Sequence, residues 1–133
     1  GPPDAADKAL ALMANRMGPK GLDLLYELSI GASKVRSKAE ALLKQPEVRA
    51  KASPALAVAL DLRAAIGCQA KKALLERATT AGDLRAVAIL QPLTVGASKG
   101  CGFLSLASCP AQCAAEAQDM QRAIQAIRAR NPG

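Results

Sequence analysis

The sequence predicts an all-α fold, and three observations carry that prediction. Thirty of its 133 residues are alanine, while Tyr26 and Phe103 are the only aromatic residues. Small, strong helix formers suit closely packed helices far better than a sheet, which draws on β-branched and aromatic residues. Length is the second observation: 133 residues make one domain, able to bury roughly two-thirds of its unfolded surface without metals or disulfides. The third is self-similarity at an offset of 36 residues, which pairs Glu47-Val48-Arg49-Ala50 with Asp83-Leu84-Arg85-Ala86 and Ile30-Gly31 with Ile66-Gly67. Leu22, Leu24, Tyr26 and Pro46 meet Val58, Leu60, Leu62 and Gly82 at the same spacing. A period between 20 and 50 residues is the mark of a helical array. The expected architecture is six to seven helices in antiparallel hairpins, forming a short array or a closed bundle around a thin aliphatic core.

Each element has its own signal. Gly1-Pro2 reads as the scar of a protease-cleaved tag, so residues 1–3 are expected to be a disordered start on a piece of a longer protein, and residues 4–133 a single helical domain. Asp4 to Met17 reads as a first helix, with Asp4 and Asp7 at its positive end and Ala6, Leu10, Met13 and Met17 along one face. Gly18-Pro19 should end it, and Gly21 to Ile30 forms the second, turning Leu22, Leu25 and Tyr26 inward before Gly31 stops it. A basic helix follows from Lys34 to Gln45, burying Val35, Ala39, Leu42 and Leu43. Pro46 and Pro54 each open a helix, Glu47 to Ala52 and Ala55 to Ile66, because a first turn does not need the missing amide proton. Ala55 to Ile66 is almost wholly apolar and is expected to be the most buried helix. Cys68 to Thr80 returns antiparallel, and Gly82-Asp83 opens a helix that Gln91-Pro92 should end. Residues 93–109 have no stable periodicity and read as a cysteine-rich loop, and residues 110–130 form the last helix, with Ala114, Ala117, Met120, Ile124 and Ile127 inside.

Charge narrows the partners. The net charge is +7, and residues 30–100 hold 12 basic against 5 acidic residues, so the excess lies on the repeat-like region, residues 20–92. Lys34, Arg36, Lys38, Lys44, Arg49, Lys51, Lys71, Lys72 and Arg85 form the candidate partner-binding set, suited to an acidic protein or peptide, anionic lipid or a nucleic-acid backbone. A plain solvated helix surface explains the same residues. The scarcity of aromatic side chains argues against single-stranded nucleic acid, whose bases need stacking platforms. The longest run without charge, Gly100 to Ala115, is broken by Gly102 and Pro110 and is too polar to span a membrane.

Cysteines stand at 68, 101, 109 and 113, three of them inside 13 residues. An even count in a small, Gly/Ser-rich segment fits two disulfides in an oxidising compartment. Three connectivities are open; Cys101–Cys109 with Cys68–Cys113 is preferred because the first closes a short local loop. Four thiolates holding zinc are an alternative that lacks the paired Cys-x-x-Cys spacing, and buried free thiols are another. Cys109 at a helix start with Cys113 one turn on could also form a redox pair.

Catalysis finds little support. With no histidine in the chain, Ser-His and Cys-His nucleophiles and imidazole metal sites are excluded. Asp23/Glu27 and Glu116/Asp119 could each place two carboxylates on one helix face, as surface pairs commonly do. Gly96-Ala97-Ser98-Lys99-Gly100 and Gly31-Ala32-Ser33-Lys34 share the composition of a phosphate loop without its spacing. No enzyme, no catalytic or metal residue and no cofactor is expected.

Arg49 and Arg85 occupy matched positions, each two residues after an acid. The segment from Pro46 to Leu56 thereby resembles HEAT and related helical-repeat proteins, whose units often open a helix with an acid-x-Val-Arg run followed by spaced Ala and Leu. The resemblance covers roughly residues 20–92 and implies that acid and arginine tie neighbouring units together. The units here are shorter than the family's and show no third copy, which leaves an open array and a closed bundle both possible. What the resemblance implies for function is binding: a face of successive helices holding a protein or peptide, selected for acidity by the basic set. Such a module is expected in the extracytoplasmic or C-terminal sensor part of a larger bacterial protein, with nucleic-acid backbone binding by the same residues as the alternative and a thiol-redox or zinc protein as the third.

Overall fold

The computed structural model describes residues 4–132, so the expectation for residues 1–3 lies outside the described residues. The chain is all-α apart from one small two-stranded sheet, and it divides into two compact units, Gly1–Ser53 and Pro54–Gly133.

In the first unit, α1 spans Ala5–Asn15, α2 Gly18–Ile30, α3 Arg36–Lys44 and α4 the single turn Pro46–Arg49. Asp4 caps α1: its carboxylate accepts the Asp7 amide at 2.8 Å, satisfying one of the donors that a helix start leaves unpaired. The sequence placed Gly18-Pro19 at the end of α1, but these residues begin α2. Proline's fixed φ suits a first helical turn, so the same dipeptide that stops one helix starts the next. Because α1 closes at Asn15, Met17 is left 45% exposed and Ala14 takes the inward place beside Leu10. Helix α2 packs against both α1 and α3. Gly21 permits the first of these approaches, since a Cβ there would stand 2.2 Å from the Met13 carbonyl oxygen. Leu22, Leu25 and Tyr26 are buried as expected, together with Ala39 and Leu43 of α3 and Val48 of α4.

The second unit contains α5 (Pro54–Ala64), α6 (Cys68–Lys72), α7 (Leu75–Ala81), α8 (Leu84–Thr94), β1 (Ala97–Cys101), β2 (Ala107–Cys109) and α9 (Ala117–Arg130). Its core joins Val58 and Leu62 of α5, Leu75 and Ala78 of α7, Val87 and Leu90 of α8, and Met120, Ile124 and Ile127 of α9, with Cys113 among them. Helix α9 lies against α7 and α8, and α5 packs on the same two helices.

Several boundaries differ from those expected, beginning with α5, which ends at Ala64 rather than Ile66. Cys68 to Thr80 is two helices: α6 buries nothing, α7 buries Leu75 and Ala78, and the break at Ala73-Leu74 lets their faces differ. Pro92 sits inside α8 but in its last turn, where only Leu93 and Thr94 follow it in the helix, and the Thr94 hydroxyl donates to the Gln91 carbonyl at 2.8 Å. The supposed loop holds an antiparallel hairpin, β1 with β2, in the register Ala97 to Cys109 and Cys101 to Ala107. Helix α9 accordingly starts at Ala117 after a 3-10 turn, Ala114–Glu116, rather than at Pro110.

Candidate functional site

Six basic residues and two acidic ones lie between Lys34 and Lys51, all in the first unit. Arg36, Glu40 and Lys44 stand four apart on α3 and so share a face; Lys44 pairs with Glu40 at 3.1 Å and Arg36 remains exposed. Lys38 turns toward α1, where its ammonium meets the Asp7 carboxylate at 2.8 Å. That hydrogen bond holds Asp7 below the ordinary carboxylate range and raises Lys38 above its own. The pair lines an open cleft of about 420 Å³ between α1 and α3, walled by Leu10, Ala41 and Leu42. Lys34 and Lys51 are exposed, and Arg49 is half-buried.

The three basic candidates of the second unit are engaged internally. The Lys71 ammonium donates to the carbonyls of Leu62 at 2.8 Å and Ala65 at 2.5 Å, closing the C-terminal end of α5. Burial, followed by the nearby Arg63 charge, lowers its pKa below the ordinary lysine value. Lys72 meets Asp119 at 3.6 Å. Arg85 donates to both carboxylate oxygens of Asp83, which also caps α8 by accepting the Arg85 amide at 3.0 Å. Burial alone would raise Asp83, but the Arg85 hydrogen bonds and charge outweigh it and leave the carboxyl below its ordinary value.

The cysteines form two disulfides, Cys68–Cys113 and Cys101–Cys109. Cys109 and Cys113 therefore belong to different bonds, and Cys109 lies at the end of β2 rather than at a helix start. That removes the basis for pairing them as a dithiol. Buried Glu116 accepts from the Gln69 amide at 2.8 Å, and its carboxylate lies with the Cys68 and Cys113 sulfurs inside 4.8 Å. Thiolates, not disulfide sulfurs, bind metal, so this trio is a packed cross-link in the oxidised protein. Asp119 pairs with Lys72 and Arg122, whereas Glu116 is bonded to Gln69. Asp23 is half-buried on α2 and Glu27 is exposed. Gly96 to Gly100 runs along exposed β1, whereas Gly31 to Lys34 forms the turn between α2 and α3.

The tip of the hairpin is not among the candidate residues that charge and cysteine spacing single out. Phe103, Leu104 and Leu106 are 84%, 71% and 69% exposed, in a run bounded by the cysteines of one disulfide. The run Phe-Leu-Ser-Leu between two nearby cysteines was the available signal. Among the described residues no helix is long and apolar enough to cross a membrane. Comparison with protein families, with characterised proteins and with solved structures finds no match to this chain.

Proposed function

We propose that this chain is a non-catalytic interaction or sensor module that binds an acidic protein or peptide surface. The observation that carries the reading is the run from Lys34 to Lys51, with six cations against two acids on one compact unit. Lys34, Arg36 and Lys51 are exposed there, and Lys38, Lys44 and Arg49 flank them in sequence. Lys71, Lys72 and Arg85 belong to the same proposed set but contribute less, because carbonyls or carboxylates of their own unit already hold them. Two disulfides support an extracytoplasmic setting, where oxidising conditions keep such bonds closed. The helical-repeat reading is part of the proposal: the matched residues Leu22 and Val58, and Tyr26 and Leu62, are buried in their respective units.

Anisotropy titration of a labelled glutamate-rich peptide tests it, with duplex DNA in parallel at about 50 and 200 mM salt. The triple charge reversal K34E/R36E/K51E should weaken peptide binding by about tenfold or more, since each lost exposed cation is worth a fraction of a kcal/mol to about 1 kcal/mol. Tight DNA binding that collapses with salt would replace this reading with sequence-independent recognition of a nucleic-acid backbone. Unchanged peptide binding by the variant would remove the basic surface from the account altogether.

A further inference from the structure

Residues 95–110 form a hairpin on which every residue is exposed except Cys101 and Cys109, both half-buried. Both faces of the ribbon thus meet solvent. A two-stranded ribbon without a covering layer is marginal in water, and the Cys101–Cys109 bond closes this one. What the staple holds in place is an apolar end: Phe103, Leu104 and Leu106 are among the most exposed large apolar side chains of the chain. Leu104 and Ser105 have φ of 56° and 57°, a left-handed backbone that side chains other than glycine adopt rarely. The turn therefore displays three large apolar groups by means of a conformation that local preference does not favour.

Charge and hydrogen bonding identify what this end meets. No acidic residue lies between Asp83 and Glu116, and Lys99 is the only charge on the hairpin. The Ser105 amide donates to the Gly102 carbonyl at 3.1 Å and the Leu106 amide to the Phe103 carbonyl at 3.2 Å, so the turn satisfies part of its own backbone. Each such bond lowers the cost of entering a lipid boundary, where unpaired backbone groups are expensive. Lys99 stands four positions before Phe103, at most about 13 Å of extended chain. A tip buried roughly 5–10 Å, as interfacial segments are, leaves that lysine at the level of the lipid phosphates.

We infer that the disulfide-closed hairpin is a membrane-surface anchor, whose tip Phe103-Leu104-Ser105-Leu106 enters the headgroup–acyl boundary of an anionic bilayer while Lys99 pairs with phosphate. The site is separate from the basic run of the first unit and would operate whether or not that run binds an acidic protein. Docking follows from apolar insertion and is strengthened by the net charge of +7.

Co-sedimentation with phosphatidylcholine vesicles carrying about a third phosphatidylglycerol measures the partition directly. The tip variant F103S/L104N/L106S should bind on the order of 100-fold more weakly, because most of the inserted apolar area is gone. Asparagine at 104 accepts the left-handed backbone, and all three positions lie outside the core, so the fold is retained. K99Q should weaken binding about fivefold on anionic vesicles and not at all on neutral ones. Phe103→Trp gives the chain its single tryptophan; its emission should shift to the blue on adding vesicles and be quenched by bromine-labelled acyl chains. Equal binding by the wild-type and tip-variant proteins would mean that charge alone holds them on the lipid and would overturn the anchor. So would an unshifted emission from the Phe103→Trp protein, or no sedimentation at all, which would instead mark the tip as a surface for an apolar protein groove.

Discussion

Asp83 shows how much one side chain can do. Its carboxylate caps α8 and grips Arg85 through two oxygens, and both partners favour the ionised form. Asp83→Ala should cost about 1–2 kcal/mol at neutral pH by removing the cap, read as a lower urea midpoint with the slope unchanged. The pH dependence follows from the direction of the shift. The folded carboxyl lies below its ordinary value of 3.8, so its contribution is complete above that value and is lost as pH falls through and below it. Asp83→Asn should therefore narrow the gap to wild type at pH 3 relative to pH 7, and an equal gap at both would contradict this account. The helix start at Gly82-Asp83 was legible in the sequence because a capping acid acts on its immediate neighbours. Lys71 and Arg130 were not legible in the same way. Lys71 closes α5 through Leu62 and Ala65, and Arg130 closes α7 through the carbonyls of Thr79 and Gly82. A cation that caps a helix other than its own looks in sequence like any surface cation. Arg130→Ala should cost roughly 1 kcal/mol, with amide exchange accelerating first at the end of α7.

Among elements, the two disulfides have unequal work. Cys68–Cys113 spans 45 residues and ties α6 to the core residue Cys113, while Cys101–Cys109 spans 8 and closes the exposed hairpin. In the chain-entropy account the longer loop is worth about 4 kcal/mol and the shorter about 2.5. The double variant C68A/C113A should thus lower the unfolding free energy of the second unit by about 4 kcal/mol, and C101A/C109A by no more than about 2.5. Chemical denaturation followed by circular dichroism checks the order, and a reversal of the two would contradict it. The pairing could be favoured from sequence because a short separation closes a loop cheaply. The strands between Cys101 and Cys109 and before them could not be seen: Ala97-Ser98-Lys99-Gly100 has no alternation of apolar and polar residues and no β-branched residue. They pair because the cross-link and the turn bring them together, not because they bury a face. Pro92 misled for a related reason, since a proline in the final turn of α8 has little helix left to break.

At the scale of the whole molecule, cysteine is segregated although charge is shared. All four cysteines lie in Pro54–Gly133 and none in Gly1–Ser53, whereas the first unit carries 9 basic and 6 acidic residues and the second 9 and 5. The self-similarity seen in sequence follows the same boundary, with residues 22–50 in one unit and their counterparts 58–86 in the other. Reduction is therefore a perturbation with a known address. Alkylation of the denatured, unreduced protein should attach no label, and four should appear after treatment with a dithiol. Hydrogen exchange of the reduced protein under native conditions should then show faster exchange in α6, the hairpin and the start of α9. Residues 4–53, which contain no cross-link, should keep their protection. A disulfide acts chiefly by restricting the unfolded chain between its two ends, so its loss raises the population of open forms where that chain lies. Uniform loss of protection across residues 4–132 would show instead that the cross-links govern one cooperative unfolding of the whole chain. That outcome would make the redox state of its compartment decide whether the basic surface of the first unit is presented at all.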